Sequence, residues 1–414
     1  MPYGSKFIDL DIPQKNLNKI KLQEEPPSLA NEIEEIKKSI RNPIKKPALS
    51  QIVDSKGRVA IIVDDITRPT PSYKIIPTIL NELHVSNEKI RIVIATGLHR
   101  ANTPEELNLL LGGKVLKKIK TFNHNAFDKN SLVYVGKTSI GTKLEINKLV
   151  KNADITISIG HIEPHEFAGF TGGRKSILPG VAGLDSINQN HGIMHLNHPK
   201  AKIGFLEGNP IHEDMVESAN MAGLDFIVNV ILNSRKEITK VVSGSPIEAH
   251  IKGVEYYRKY YQVKIGDPAD IVVVSSGYPG DINLYQSIKS TIVPAEPFVK
   301  KGGIVISLVE CKEGIGTPLF REFMTSFSSR NNIMERIKKE GYRAEIDHCY
   351  LLYRVLNKSD VFVVSSHESI HKINRSLIKS YLSPKEALEV AFKIKGKDAK
   401  IFTLPYAQRL VPKS

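Results

Sequence analysis

The chain has 414 residues, no tryptophan and only two cysteines, Cys311 and Cys349. Two thiols cannot build a disulfide scaffold or a cysteine-based zinc centre, and their scarcity suits a reducing compartment. No window approaches the roughly 20 apolar residues that a membrane span requires. The opening stretch from Met1 to Asn16 has no apolar core of the kind an export signal carries. A cytoplasmic protein with no membrane attachment is therefore expected. Low-complexity tracts are missing, as are internal repeats with periods of roughly 20–50 residues, which removes solenoid architectures.

What is present is an ordinary globular composition, 41% hydrophobic and 25% charged, long enough for two domains with separate cores. Net charge is +14. The lysines cluster, as in Lys117-Lys118-Ile119-Lys120, but no basic aromatic motif, recognition helix or zinc finger accompanies them. They are read as a solvated surface without a nucleic-acid partner. A positive field of this kind also favours a small anionic substrate.

Apolar runs punctuated by polar turns predict an α/β fold of two domains with mainly parallel sheets. Val59–Val63 reads as a strand buried on both faces, and Ile90–Ala95 and Asp154–Gly160 read as the next strands. Helices are predicted from a cap at Ser28 to about Asn42, from Ser72 to Leu83, and from Thr103, where Thr-Pro-Glu-Glu is a strong start signal. Asp225–Leu232 and Glu237–Val242 read as a strand pair, followed by a helix from Pro246. Gly266-Asp267-Pro268 then breaks the chain, so the domains are placed at 1–265 and 266–414. A second α/β series follows with strands at Asp270–Val274, Gly303–Leu308, Asp360–Val364 and Lys400–Leu404. The last of these is left free to pack back on the first domain. Ligands of such sheets bind beyond the carboxyl ends of the strands. That rule gathers Asp65, Arg68, His99 and the segment after Gly160 on one rim.

That segment, from His161 to His198, holds five of the thirteen histidines and encloses Gly172-Gly173-Arg174-Lys175-Ser176. Paired glycines with adjacent cations suit a phosphate, and a desolvated lysine amine is a nucleophile. Asp65 is read as a carboxylate that orients a ligand or caps a turn. Arg68 is read as a fork for a carboxylate or a solvent-facing cation. His99 is either a general acid–base or a loop residue. His161 and His165 have a spacing that binds zinc from a helix, but Glu163-Pro164 interrupts any helix there. His195 and His198 read as surface residues, and His191 is left open. Ser176 lies outside the nucleophile-elbow pattern, and the glycine spacing is not that of a P-loop. Tyr285, Gln286 and Lys289 fall three and four apart, so they share a helical face.

Asp65-Ile66-Thr67-Arg68-Pro69-Thr70-Pro71, Thr96-Gly97-Leu98-His99-Arg100, the run from His165 to Gly180, His191, and Tyr285 to Lys289 occur in the order found in nickel-pincer lactate racemases. From about residue 10 to its end the chain resembles that family. The resemblance implies a racemase or epimerase of 2-hydroxy acids with its active site in the interdomain cleft. It implies a cofactor, nickel pyridinium-3,5-bisthiocarboxylic acid mononucleotide, covalently attached at Lys175 and ligated through nickel by His191. It further implies His99 and His165 as the two proton-transfer groups and Arg68, Gln286 and Lys289 as substrate binders. Asp65 and Tyr285 would position the cofactor, and cofactor-making enzymes would be partners. Lactate-type members place a tryptophan near the substrate methyl. Here the corresponding stretch is Glu345-Ile346-Asp347-His348-Cys349-Tyr350, which points to a longer or hydroxylated substrate. The alternative from another class is a non-catalytic two-domain binder of a small anionic metabolite.

Overall fold

The computed structural model describes residues 1–18, 24–53, 57–327, 329–340, 346–373 and 377–413. Chain contacts divide it into two compact units, one of residues 24–260 and the other of residues 1–23 with 261–414.

The unit of residues 24–260 is built on a six-stranded sheet. Its spatial order is Ile238–Gly244, Phe226–Leu232, Ile155–His161, Val59–Asp64, Ile90–Ala95, Lys120–Asn123. All neighbours are parallel except the first pair. The continuous apolar runs follow from burial on both sides. Val59, Ile61 and Val63 join one core cluster with Ile92, Ile94, Ile157 and Ile159, while Ile62 and Val93 join a second cluster on the opposite face. Strand order reverses between Val59–Asp64 and Ile155–His161. The carboxyl ends of those two strands are thus the switch point at which ligands bind such sheets.

Local signals position the helices. Thr103 and Glu106 form a capping box for the helix Pro104–Leu111. The helix expected from Ser28 instead spans Glu32–Arg41, because Asn31 caps it by accepting from Glu34 N. The antiparallel pair Phe226–Leu232 and Ile238–Gly244 and the helix Glu248–Tyr261 lie where the sequence predicts them.

The other unit holds a six-stranded parallel sheet in the order Ile378–Tyr381, Ser359–Val364, Val299–Leu308, Ala269–Ser275, Ile401–Leu404, Leu17–Asn18. The strand Ile401–Leu404 pairs with Ala269–Ser275 and stays within this unit. It is the N-terminal segment that joins a partner distant in sequence. Leu17 and Asn18 extend the sheet edge, Asn16 donates to the carbonyls of Lys397 and Ala399, and Met1, Ile8, Leu10 and Ile12 pack on the core of this unit. The contact-based division falls at 260/261, and residues 1–23 group with the C-terminal segment. Among the described residues no helix is long and apolar enough to cross a membrane.

Candidate active site

The switch point of the first sheet collects most of the residues singled out in the sequence. Asp64 ends one strand, and Asp65 to Thr70 form the turn beyond it. Asp65 is buried, and its Oδ2 accepts from Nδ1 of His99 at 2.6 Å. Its Oδ1 accepts from the backbone N and Oγ1 of Thr67. Burial pushes the Asp65 carboxyl up, but the hydrogen bond and charge of His99, then Arg68 and Thr67, outweigh it and hold the pKa at about 2. Because the carboxylate accepts Nδ1–H, the neutral His99 ring presents a lone pair at Nε2. The His99 side chain is 42% exposed, so that nitrogen is open to a ligand.

Arg68 is half-buried in a ring of carboxylates. Burial would lower its pKa, yet Asp65, Glu163, Asp64 and Glu166 raise it. A guanidinium fork of this kind suits a carboxylate ligand.

His161 and His165, four residues apart, have different surroundings. His161 is 3% exposed; its Nδ1 meets Thr70 Oγ1 at 2.9 Å and Asp64 Oδ2 at 3.3 Å, and its Nε2 lies 3.2 Å from Glu163 Oε1. Burial opposes its charge, but Glu163 and Asp64 raise its pKa to about 9. It is a structural cation that ties the two central strands together. His165 is half-buried on a two-residue strand, Pro164–His165. Its Nδ1 accepts from Ala168 N at 3.3 Å and has Glu166 Oε2 at the same distance. A protonated ring would find its countercharge there.

The sequence did not single out Phe167, which organises the next layer. Its buried ring makes edge contacts with His165 at 4.6 Å and with His191 at 4.9 Å between centroids. Nζ of Lys175 lies 5.9 Å from the same centroid. One phenyl ring thus brings together three residues spread over 27 positions of sequence. The alternation around Glu166 could have signalled it, since Phe167 is the apolar residue that follows two ionisable ones.

The glycine–cation run corrects the phosphate reading. Arg174 turns inward: it is 2% exposed and donates to the carbonyls of Ala168, Phe170, Thr171 and Gly172. Burial alone lowers its pKa to about 9. The amide of Gly173 is used by Asn229 Oδ1 at 2.8 Å. Gly172 has φ 82°, and a Cβ there would meet Asn229 Oδ1 at 2.8 Å. The glycine pair therefore serves close packing, and Arg174 staples the loop; neither forms an anion cradle. Lys175 is half-buried, with its Nζ beside the Phe167 ring.

His191 caps the helix Leu184–Asn190 and is 7% exposed. Its Nδ1 bonds Asn190 Oδ1 at 2.9 Å, leaving Nε2 as the nitrogen for a metal. His195 is half-buried on the short helix Ile193–Leu196, with its Nδ1 3.0 Å from the Asn190 carbonyl. His198 is exposed as expected.

In the other unit, Asn283 caps a short turn, Leu284–Ser287, that passes into a π-helical turn, Ile288–Ile292. Tyr285, Gln286 and Lys289 are half-buried on it. Such turns recur at functional sites. The Tyr285 ring lies 3.9 Å from the His348 ring between centroids, tilted by 32°, and meets Phe320 edge-on at 5.2 Å. Gly316 allows the approach, since a Cβ there would lie 2.7 Å from Tyr285 Cβ. Asp347 and His348 are both buried, with Nδ1 of His348 2.8 Å from Asp347 Oδ1 and its Nε2 without a hydrogen-bond partner among the described residues. Glu345 lies outside the described residues.

Two family models match the chain, the lactate racemase N-terminal domain over residues 3–204 and the lactate racemase C-terminal domain over residues 265–409. The chain is 34% identical to a lactate racemase of Thermoanaerobacterium thermosaccharolyticum, covering 98% of this chain and 96% of the relative. It is 33% identical to a lactate racemase of Lactiplantibacillus plantarum, with 98% and 97% covered. The solved apoprotein of the first of these organisms superposes with a TM-score of 0.94 at 33% identity, covering 100% of this chain and 99% of that one. A Thermotoga maritima protein shares the fold at a TM-score of 0.70 and 17% identity, covering 95% and 100%.

Proposed function

This chain belongs to the lactate racemase family, and from that premise we propose that it inverts C2 of a 2-hydroxy acid with a nickel-pincer nucleotide as cofactor. It is an isomerase. The observation that carries the finer reading is the gathering of Lys175, His165 and His191 on the Phe167 ring. The residues suit the group. Lys175 offers a half-buried amine for the covalent link, and His191 offers an imidazole nitrogen, a donor that suits nickel. When bound, the cofactor supplies reversible hydride acceptance from C2.

The protein's own groups then do the following. Arg68 holds the substrate carboxylate through a fork that is always charged. His99, with Nδ1–H held by Asp65, takes the hydroxyl proton at Nε2 of one enantiomer. His165 returns a proton to the oxygen after the planar 2-keto acid has presented its other face. Glu166 beside Nδ1 stabilises the ring while it is charged. In the reverse direction the roles exchange. We assign Gln286 and Lys289 to the substrate and Asp65 and Tyr285 to positioning the cofactor. Enzymes that make the cofactor are the implied partners.

The substrate extends beyond lactate in this reading. Among the described residues the buried Nε2 of His348, whose ring lies against Tyr285, has no hydrogen-bond partner, and an unpaired buried polar atom costs about 1–3 kcal/mol. A hydroxyl on a longer 2-hydroxy acid would satisfy it, and a methyl would not. The test is intact-mass and metal analysis of protein co-expressed with cofactor-making enzymes, followed by loss of optical purity across a panel of enantiopure 2-hydroxy acids. One nickel and an adduct that Lys175→Ala abolishes are expected, with a hydroxylated acid outrunning lactate. Protein that turns over no 2-hydroxy acid, or an adduct surviving Lys175→Ala, would reject the reading.

A further inference from the structure

His191 is held by a buried chain of hydrogen bonds that reaches across three segments. Its Nδ1 lies 2.9 Å from Asn190 Oδ1. The other end of the Asn190 amide, Nδ2, lies 3.3 Å from the Ile211 carbonyl and 2.7 Å from Asp214 Oδ2. Asp214, on the helix Pro210–Ala222, accepts from the hydroxyls of Thr138 and Thr142 at 2.5 and 2.8 Å. Those threonines sit in the turn that joins the strands Leu132–Lys137 and Lys143–Asn147. Thr142 N donates to Thr138 Oγ1 at 3.0 Å, so that hydroxyl must spend its own proton on Asp214. Asn190 is fully buried, and Asp214 is 1% exposed.

These directions are not interchangeable. A backbone carbonyl can only accept, so the amide end that faces Ile211 O must be the NH2 group. The end that faces His191 is then a carbonyl oxygen, which also can only accept. The proton on the neutral His191 ring is therefore at Nδ1, and the lone pair is at Nε2. Nothing in this deduction depends on the charge of Asp214. The edge contact with Phe167, at 74° between ring planes, fixes the second rotational freedom of the imidazole.

We infer that Asn190 is a positioning residue for metal binding, with Asp214, Thr138 and Thr142 holding its amide so that His191 offers Nε2. This rests on the reading of His191 as the nickel ligand. Outer partners of ligating histidines typically contribute about 10–100-fold in metal affinity. Asn190→Leu keeps the branched shape and removes all three side-chain hydrogen bonds. Asn190→Asp keeps the acceptor for His191 but sets a second carboxylate against Asp214 and Ile211 O. Adding Asp214→Asn to Asn190→Asp rebuilds the chain in reverse, with the new amide at 214 donating to the new carboxylate at 190.

The experiment has two arms. In the ¹⁵N-labelled apoprotein at mildly alkaline pH, two-bond ¹H–¹⁵N correlations identify the protonated nitrogen of His191. Nδ1–H is expected in the parent, and mixed tautomers in Asn190→Leu. In protein loaded by co-expression, nickel loss to a chelator should be about 10–100-fold faster in Asn190→Leu and in Asn190→Asp. The double variant should be slower to lose nickel than Asn190→Asp alone, which a simple packing defect would not produce. Nε2–H in the parent, or parental nickel retention in Asn190→Leu, overturns the inference. Parental nickel retention in His191→Ala instead removes His191 as the ligand, while the apoprotein arm still decides whether Asn190 sets the ring.

Discussion

Asp65–His99 in one unit and Asp347–His348 in the other are aspartate–histidine pairs with opposite surroundings. In Asp65–His99 the carboxylate is buried and the ring is 42% exposed, with Nε2 open. In Asp347–His348 both members are buried and the ring lies against Tyr285. The chemical parts are identical: a carboxylate bonds Nδ1 and leaves Nε2. What differs is access. An open ring can exchange its proton with a substrate through many turnovers. A ring enclosed by Tyr285 and Asp347 can present one hydrogen-bonding atom to whatever part of a ligand reaches it. The first arrangement suits acid–base work and the second suits recognition.

The sharpest way to break this contrast is to remove each ring. His99→Ala should lower racemisation by about 10²–10⁴-fold, the range of a general acid–base group. His348→Ala should change turnover of a given acid by no more than about tenfold, since it loses one hydrogen bond and one ring contact. Matched losses in kcat for the two variants would erase the distinction.

A second expectation concerns stability against pH. The folded pKa of Asp65, about 2, lies below its ordinary value of 3.8. A depressed carboxyl stabilises the fold above the unfolded value and loses that contribution as pH falls toward the folded one. Asp65→Asn should therefore cost up to about 2.5 kcal/mol near neutrality, and the gap should close between about pH 4 and pH 2. Urea unfolding of both proteins across that window measures it. A constant gap would mean that Asp65 acts through packing alone.

The smallest effect sharpens the recognition half. His348→Phe replaces a polar ring with an apolar one of similar size. The ratio of kcat/KM for a hydroxylated acid over lactate should fall by about tenfold, which corresponds to about 1.4 kcal/mol. An unchanged ratio would take His348 out of specificity.

Much of the site was legible because its residues follow strands that announce themselves. Val59–Asp64 is a continuous apolar run up to its last residue, and Ile90–Ala95 and Ile155–His161 are rich in isoleucine, so their ends are sharp, and Asp65, Arg68 and His99 follow from them. Histidine identity was less informative. His161 and His165 look alike in the sequence, yet the first is locked by Asp64, Thr70 and Glu163, and only the second faces Phe167. Arg174 and Lys175 are adjacent cations with opposite fates, because a 3-10 turn over Gly173–Ser176 sends one side chain into the carbonyls of its own loop.

The order of elements, the parallel sheets, the carboxyl-end rim and the motif residues were determined by the sequence alone. Each rests on local signals: a strand buried on both faces is an apolar run, and a capped helix carries its cap beside it. The tertiary structure decided what depends on partners far along the chain. It assigned residues 1–23 to the C-terminal unit through the pairing of Leu17 with Ile401. It placed Phe167 between His165 and His191, and linked His191 through Asn190 and Asp214 to Thr138 and Thr142. Hydrogen bonds and ring contacts between segments dozens of residues apart leave no periodicity in a sequence. Their geometry exists only once the sheet has brought those segments together.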